Sequence, residues 1–231
     1  VAWPDLAISR LESTVLHEPI STPVRGAFGA MAHRNSLVVR VRLRCGVEGY
    51  GEVWSNFPAG GAEYKQTLLH TYCAAALEGQ VLRHPQDAHA LLARRLHRLT
   101  LQSGDFGSMA QVCAGVDQAV WDACARLQGR AFWQMAGGEP RVAVYASGIG
   151  PDDIGETIRR EAAAGHTRFK IKMGFGERAD HANLVEALDA LTPGGVLMVD
   201  ANQAWSLEQA ADWLPVLEEA GVLWCEEPMP A

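Results

Sequence analysis

The sequence lacks the features that would place it among membrane proteins or secreted, disulfide-bonded proteins. It has no apolar run long enough to cross a bilayer, and its start shows no signal-peptide pattern. A surplus of positive charge is also missing, because the net charge at pH 7 is -7. We therefore expect neither a nucleic acid nor an anionic membrane surface as a partner.

Cysteine is sparse and irregularly spaced. The five cysteines are odd in number, lie mostly in apolar runs and include no C-x-x-C pair. This pattern favours reduced thiols in a cytoplasmic protein over a disulfide framework. The eight histidines form no H-x-x-x-H or H-E-x-x-H pattern, and neither a G-x-S-x-G motif nor a P-loop occurs. We expect neither zinc nor those classes of active site.

The first half of the sequence predicts strands followed by helices. From Pro4 to Trp54 apolar and polar residues alternate, most clearly in VVRVRL, which is typical of an antiparallel hairpin with one solvated face. The segment STPVRGAFGA, residues 21–30, is rich in proline and glycine, and we predict a loop there. From Ala62 onward the period becomes helical, most clearly in the helix that Gly129 ends.

After a boundary that we place near residues 137–140, strands and helices alternate. VAVYASGIG, RFKIKMG, GVLMVDANQ and VLWCEEPMP predict four strands, and three helical segments separate them. The last helix is predicted to open with a capping box from Ser206 to Gln209. This alternation is typical of a parallel sheet. We therefore predict an α+β domain over residues 1–137 and a β/α domain over residues 138–231.

The second of these strands, RFKIK, has a polar face that needs an explanation. Lys170 and Lys172 alternate with apolar residues, whereas a strand inside a β/α run is covered on both faces. If the sheet closes into a barrel, the apolar residues can face the helices while both lysines face the interior. A strand with one solvated face is the simpler interpretation of this segment taken alone.

The next two strands end in acids. Asp200 closes VLMVD, and Glu226 with Glu227 closes LWCEE, each about one βα unit beyond the preceding strand end. We therefore expect Lys172, Asp200 and Glu226 at the same level on neighbouring strands. In barrel enzymes the active site lies at this C-terminal edge. Carboxylates on neighbouring elements are ligands that suit Mg²⁺.

Two other interpretations of these residues remain open. In one, the lysines and acids form an interior ion network without catalysis. In the other, GFGERA, residues 174–179, is the glycine-rich turn of a dinucleotide-binding oxidoreductase, and Asp200 binds the ribose. The two lysines argue against this second interpretation, because the strand before such a turn should be apolar on both faces.

KIK, VDANQAW and CEEP, in this order and spacing, resemble the enolase superfamily, specifically its mandelate racemase / muconate lactonizing enzyme family. The resemblance covers essentially the whole chain. It implies an N-terminal α+β capping domain followed by a modified TIM (β/α) barrel. An eight-stranded barrel needs about four more βα units than this sequence supplies, so we expect only the first part of a longer protein.

The resemblance also implies a role for each residue at the strand ends. Asp200 and Glu226 would bind Mg²⁺, and the third metal ligand would lie on the fifth strand, beyond this chain. Lys172 would be the base that abstracts the proton α to a carboxylate. Lys170 would help to neutralise that carboxylate and to make Lys172 a base near neutral pH.

Further residues would contact a small-molecule carboxylate substrate: Asn202, Trp54, and Arg25 in the loop from Ser21 to Gly29. Acid-sugar dehydration is the reaction that we expect by analogy with the family. Racemisation, epimerisation or cycloisomerisation of another carboxylate is the alternative, so the enzyme would be a lyase or an isomerase. We also expect a cytoplasmic homo-oligomer.

Overall fold

The computed structural model describes residues 3–26 and 29–230 of the 231-residue chain, apart from the side chains of residues 22, 24–26, 29 and 30. The chain divides into two compact units, Val1–Pro19 with His33–Arg141 and Ile20–Ala32 with Val142–Ala231. Among the helices of the described ranges, none combines the length and the apolar character that crossing a membrane requires.

The first unit contains a four-stranded sheet and several helices. The strands are β1 (Leu6–Gly26), β2 (Gly29–Leu43), β3 (Glu48–Trp54) and β4 (Val81–Leu82), in the order β3-β2-β1-β4, and the far ends of β1 and β2 belong to the second unit. The helices are α1 (Gly61–Leu68), α2 (Ala75–Leu77), α3 (Gln86–Ser103), α4 (Phe106–Gln128) and α5 (Phe132–Met135), with a π-helical segment, Leu69–Ala74, between α1 and α2. The antiparallel pairing of β2 with β3 confirms the predicted hairpin.

Helix α4 lies directly on β3. A Cβ atom added to Gly51 would collide with the backbone of Gly115 in α4, and one added to Gly49 would collide with the backbone of Ala119. Glycine at these two strand positions therefore allows the helix backbone to approach the sheet. The contact places the buried face of α4 against the core of the first unit.

The predicted apolar stripe of α4 is confirmed. The helix begins at Asp105, whose side chain accepts a hydrogen bond from the Ser108 N–H at 3.0 Å, and it ends at Gly129, where φ is 62°. Glycine adopts this left-handed conformation without a steric penalty. The buried residues of the stripe are Met109, Val112, Cys113, Val116, Val120 and Cys124.

The predicted loop over residues 21–30 is wrong for most of its length. β1 continues to Gly26 and β2 begins at Gly29, while residues 27 and 28 lie outside the described ranges. Proline is accepted in a strand where its missing N–H faces away from a ladder. The two-residue β4 pairs with β1 only at Leu6 and Ala7, so this ladder does not reach the proline-containing end of β1.

The second unit contains the predicted run of parallel strands. β5 (Ala146–Ile149), β6 (Arg168–Lys172), β7 (Val196–Asp200) and β8 (Cys225–Glu226) pair in the order β5-β6-β7-β8. They alternate with α6 (Ile154–Ala163), α7 (Glu177–Ala190) and α8 (Leu207–Glu219). β5 is shorter than predicted, because Val142 and Val144 are exposed and lie before its first paired residue.

The predicted capping box of α8 is confirmed. Ser206 Oγ accepts a hydrogen bond from the Gln209 N–H at 3.2 Å, and Gln209 Oε1 accepts one from the Ser206 N–H at 2.8 Å. These two bonds satisfy N–H groups that the first turn of a helix leaves free. The start of α8 at Ser206 therefore agrees with the start that the sequence predicts.

The two faces of β6 differ as predicted. Phe169, Ile171 and Met173 are fully buried in a core that α6, α7 and α8 share. Burial of one such side chain stabilises the fold by about 1.5–3 kcal/mol. A shift of the strand by one residue would expose all three, so this face sets the register and places Lys170 and Lys172 on the opposite face.

Candidate active site

The register of the parallel sheet brings the predicted residues together at one edge. Lys172 is paired with Asp200 across β6 and β7, and Asp200 is paired with Glu226 across β7 and β8. The prediction that these three residues lie at the same level is confirmed. All three stand at the C-terminal ends of their strands.

Direct contacts join the lysines to the acids. Lys172 Nζ lies 2.7 Å from Asp200 Oδ2 and donates a hydrogen bond to Asn202 Oδ1 at 2.8 Å. Lys170 Nζ lies 2.6 Å from Glu226 Oε2 and 3.3 Å from Asp200 Oδ2. Asp200 therefore interacts with both lysines.

The charges of this cluster stabilise one another in a mostly buried setting. Burial alone would lower the pKa of Lys170, but its hydrogen bond to Glu226 and the nearby negative charges outweigh that effect and raise the pKa. Burial alone would raise the pKa of Asp200, but the hydrogen bonds from Lys172 and from the Asn202 N–H, together with both lysine charges, hold that pKa below its ordinary value. Lys170 and Asp200 are therefore both charged at neutral pH.

Asn202 reaches the cluster through a left-handed backbone turn. The φ angle is 47° at Asn202 and 63° at Gln203, a region that few non-glycine residues adopt. The turn is held from β8, because the Ala201 N–H bonds to the Glu226 carbonyl at 3.0 Å and the Gln203 N–H to the Glu227 carbonyl at 2.7 Å. Such conformations persist where neighbouring structure holds them, often at functional sites.

The sequence interpretation missed Tyr145. Lys170 Nζ lies over the Tyr145 ring, 5.6 Å from its centroid. Tyr145 directly precedes β5. An aromatic residue at the start of a strand is ordinarily part of a core. The residue type and sequence position of Tyr145 therefore do not indicate that it contacts a charged site.

Two predicted substrate contacts stay predictions. The side chain of Arg25 lies outside the described residues. Trp54 ends β3 in the first unit, where 48% of its surface is exposed. Its ring centroid lies 5.5 Å from Lys65 Nζ and 6.0 Å from the Phe57 ring centroid.

The contacts of the glycine-rich turn argue against a dinucleotide site. The N–H groups of Gly174 and Phe175 donate to the carboxylate of Asp180 at 3.0–3.1 Å, and Trp205 Nε1 lies 3.4 Å from the same group. A pyrophosphate would need these N–H groups and would meet a buried acid there. The sheet order is also sequential in the described strands, without the reversal at which dinucleotides bind.

The acids fit two ligands of a magnesium site. Asp200 and Glu226 are direct neighbours across β7 and β8, and Mg²⁺ accepts a few carboxylates while keeping water or substrate in its other positions. Within residues 3–26 and 29–230, no group of three histidine, cysteine or acidic side chains could hold a metal ion. If Mg²⁺ binds at this edge, Asp200 and Glu226 would be two of its ligands.

A parallel β/α sheet with lysines and acids at the C-terminal ends of consecutive strands is the arrangement found in β/α-barrel enzymes. A family model described as "Mandelate racemase / muconate lactonizing enzyme, N-terminal domain" matches residues 10–137, and one described as "Enolase C-terminal domain-like" matches residues 153–231. The chain belongs to the mandelate racemase / muconate lactonizing enzyme family of the enolase superfamily. It combines the N-terminal capping domain of that fold with part of the C-terminal barrel, which confirms the predicted fold class.

Similar proteins are known from sequence and from structure. Chloromuconate cycloisomerase CbnB from Cupriavidus necator is 28% identical over 97% of this chain and 60% of its own length. A mandelate racemase/muconate lactonizing enzyme from Bordetella bronchiseptica RB50 is 35% identical, with a TM-score of 0.90 over 99% of this chain and 60% of that one. An enolase from Bradyrhizobium, solved with magnesium and mandelic acid, is 25% identical, with a TM-score of 0.86 over 98% of this chain and 62% of that one. The chain thus spans about 60% of the length of the relatives that it matches.

Proposed function

We propose that this chain is part of a Mg²⁺-dependent enzyme that abstracts the proton α to a carboxylate. The observation that carries the proposal is the pairing of Lys172, Asp200 and Glu226 at the ends of three consecutive strands. A base and two hard-metal ligands are thereby brought within reach of one small molecule. The Bradyrhizobium enolase solved with magnesium and mandelic acid, a carboxylate, supports the same chemistry.

Asp200 and Glu226 would hold the metal ion. When bound, Mg²⁺ supplies positive charge that offsets the negative charge developing on the substrate carboxylate. A proton next to a carboxylate is very weakly acidic, so this compensation is needed before a lysine can remove the proton. The two acids lie on adjacent strands whose register the core of the second unit sets.

Lys172 would accept the substrate proton at Nζ. Its contacts with Asp200 Oδ2 and Asn202 Oδ1 orient the amine and stabilise the ammonium that forms. Asn202 is itself held by the left-handed turn and by its N–H bond to Asp200 Oδ1 at 3.0 Å. The proposed base, Lys172, therefore lies at the end of β6 in contact with Asp200 and Asn202, whose positions are held by the surrounding structure.

Lys170 would meet the negative charge of the substrate carboxylate. It lies two residues before Lys172 on the same face of β6, and it is 7% exposed. Asn202 would contribute a further substrate contact. The side chains that set the reaction outcome on the opposite face of the substrate would come from strands after β8.

An isomerisation is favoured over a dehydration. Chloromuconate cycloisomerase CbnB and a hydrophobic dipeptide epimerase from Citrifermentans bemidjiense are both relatives of this chain, at 28% identity each. Cycloisomerisation, epimerisation or racemisation is therefore our first proposal for the complete protein. Acid-sugar dehydration, which begins with the same proton abstraction, is the second.

Exchange of the α-proton with D₂O tests the proposal before the product is known. The complete protein is incubated in D₂O with a panel of muconolactones, dipeptides, mandelate and acid sugars, with Mg²⁺ or with excess EDTA, and NMR follows the α-proton signal. We expect at least one carboxylate to exchange, and only with Mg²⁺. If none exchanges across the panel, or if exchange is equal in EDTA, the proposal is wrong.

A further inference from the structure

The ammonium of Lys170 lies between an aromatic ring and two acids. Asp200 and Glu226 are two positions beyond the level of Lys170, toward the C-terminal ends of the strands, because Lys170 is paired with Met198 and Lys172 with Asp200. Tyr145 lies on the other side, since Ala146, the next residue, is paired with Phe169. The Tyr145 ring centroid is 5.6 Å from Lys170 Nζ.

Tyr145 is supported from the opposite edge of the sheet. Its ring makes an edge-to-face contact with Trp224, with centroids 5.5 Å apart and an interplanar angle of 76°. Trp224 directly precedes β8, and Tyr145 directly precedes β5. β5 and β8 are the two outer strands of this four-stranded sheet, so the ring pair spans the face of the sheet that carries Lys170.

The ring and the acids respond differently to a metal ion. Carboxylate oxygens are ligands for Mg²⁺, whereas the face of a phenol ring attracts an ammonium through its quadrupole and is not a hard-metal ligand. If Asp200 and Glu226 bind Mg²⁺, each gives up part of its interaction with Lys170. The contact between Lys170 and Tyr145 is not in competition with the metal.

We propose that Tyr145, supported by Trp224, is a positioning residue that holds the Lys170 ammonium inside the site while the two acids bind Mg²⁺. This inference rests on the proposed function for the roles of Lys170, Asp200 and Glu226. A purely packing role for Tyr145 would affect stability alone. A positioning role affects the environment of Lys170 and the binding of the substrate carboxylate.

NMR of lysine side chains tests the contact directly. Lysine that carries ¹³C at Cε reports on each lysine of the complete protein, of which this chain contributes Lys65, Lys170 and Lys172. A Lys170→Arg sample of the complete protein identifies the Lys170 signal. The ring shifts the Hε signals of Lys170 upfield, so Tyr145→Leu should move them downfield and Tyr145→Phe should leave them nearly in place, with and without Mg²⁺.

Tyr50→Leu is the matched control. Arg126 lies over the Tyr50 ring in the first unit with its Cζ atom 5.5 Å from the centroid, so this variant removes a similar contact that does not involve Lys170. The Lys170 signals should not change in Tyr50→Leu. If Tyr145→Leu does not fold, Trp224→Leu replaces it, and loss of the supporting ring should also move the Lys170 signals.

Kinetics give the second readout. With an exchanging substrate, Tyr145→Leu should raise KM on the order of tenfold and change kcat less, as expected for loss of one cation–π contact, while Tyr145→Phe should behave like the native protein. Lys170 signals that stay in place in both Tyr145→Leu and Trp224→Leu would overturn the proposal. Shifted signals in a protein that exchanges no substrate would support the positioning role and refute the proposed function, so the two failures are distinguishable.

Discussion

Lys172 and Asp200 face each other across two parallel strands, with Nζ and Oδ2 2.7 Å apart. One residue is the proposed base and the other a proposed metal ligand, so each changes the environment of the other. Substitutions at the two positions should nevertheless have separable effects. A base is needed for proton transfer, and a ligand is needed for metal binding.

Mg²⁺ should stabilise the complete protein through Asp200 and Glu226. A ligand that binds only the folded state at 100 times its Kd adds about 2.7 kcal/mol to the free energy of unfolding, which raises Tm. Asp200→Asn and Glu226→Gln should each weaken this rise in a Mg²⁺ titration followed by thermal melting. Glu218→Gln, an exposed acid on α8, is the control and should respond like the native protein. An undiminished response in both strand-end variants would contradict the metal assignment.

Lys172→Ala should abolish α-proton exchange and leave Mg²⁺ stabilisation largely intact. Loss of a general base typically costs about 10²–10⁴-fold in rate. The measurement is the NMR exchange rate in D₂O, with the Mg²⁺-induced rise in Tm as a check on the site. Arg168→Ala removes an exposed cation from the same strand and should exchange at the native rate. Native exchange in Lys172→Ala would refute its role as the base but not the fold.

The cap of α4 should stabilise the first unit in a pH-dependent way. Burial of Asp105 acts to raise its pKa, but its bonds with Ser108 and Tyr64 and the charge of Lys65 hold that pKa below its ordinary value. The folded state therefore favours the carboxylate. Its contribution is fully present above the unfolded pKa of about 4 and is lost as the pH falls through the lower folded value.

Asp105→Ala should accordingly lower the free energy of unfolding by about 1 kcal/mol at pH 7 and by less at pH 3. Asp105→Asn keeps a capping oxygen that does not titrate, so its stability relative to native should rise as the pH falls. Denaturant unfolding at the two pH values measures both differences. Equal losses for Asp105→Ala at pH 7 and pH 3 would show that the charge of the cap is unimportant.

The close contact of β3 with α4 should make Gly51 intolerant of any side chain. Gly51→Ala places a methyl group against the backbone of Gly115, and overpacking of this kind costs roughly 1–3 kcal/mol or more. Gly107→Ala adds the same methyl group to open space in the first turn of α4 and should be neutral or stabilising by up to about 1 kcal/mol. Thermal melting of the two variants compares the positions, and equal Tm values would contradict the contact.

Local patterns in the sequence predict the parts of the site that depend on strand period and on the length of βα units. The alternation in RFKIK and the acids that end the next two strands suffice to predict the level of Lys172, Asp200 and Glu226. Tyr145 could not be predicted in this way, because its contacts with Lys170 and Trp224 join residues that are far apart in the sequence. The left-handed turn at Asn202 depends on hydrogen bonds to carbonyl groups at the end of β8, which follows α8 along the chain.

The error over residues 21–30 has a similar cause. Proline and glycine ordinarily indicate a loop, and this local tendency was overridden by the pairing of β1 with β2. Whether a strand tolerates proline depends on which of its edges is paired, and a short segment of sequence does not contain that information. The continuation of β1 to Gly26 and the start of β2 at Gly29 are therefore tertiary features rather than local ones.

Asp180 determines what the turn after β6 can recognise. Its carboxylate occupies the N–H groups of Gly174 and Phe175, so the molecule carries its own anion at the place where a helix start would otherwise capture a phosphoryl group. The phosphate of a phosphorylated metabolite could not bind these two N–H groups, because the Asp180 carboxylate already accepts their hydrogen bonds. Under the proposed function, recognition of a substrate carboxylate then falls to Lys170 and Lys172 of β6 and not to this turn.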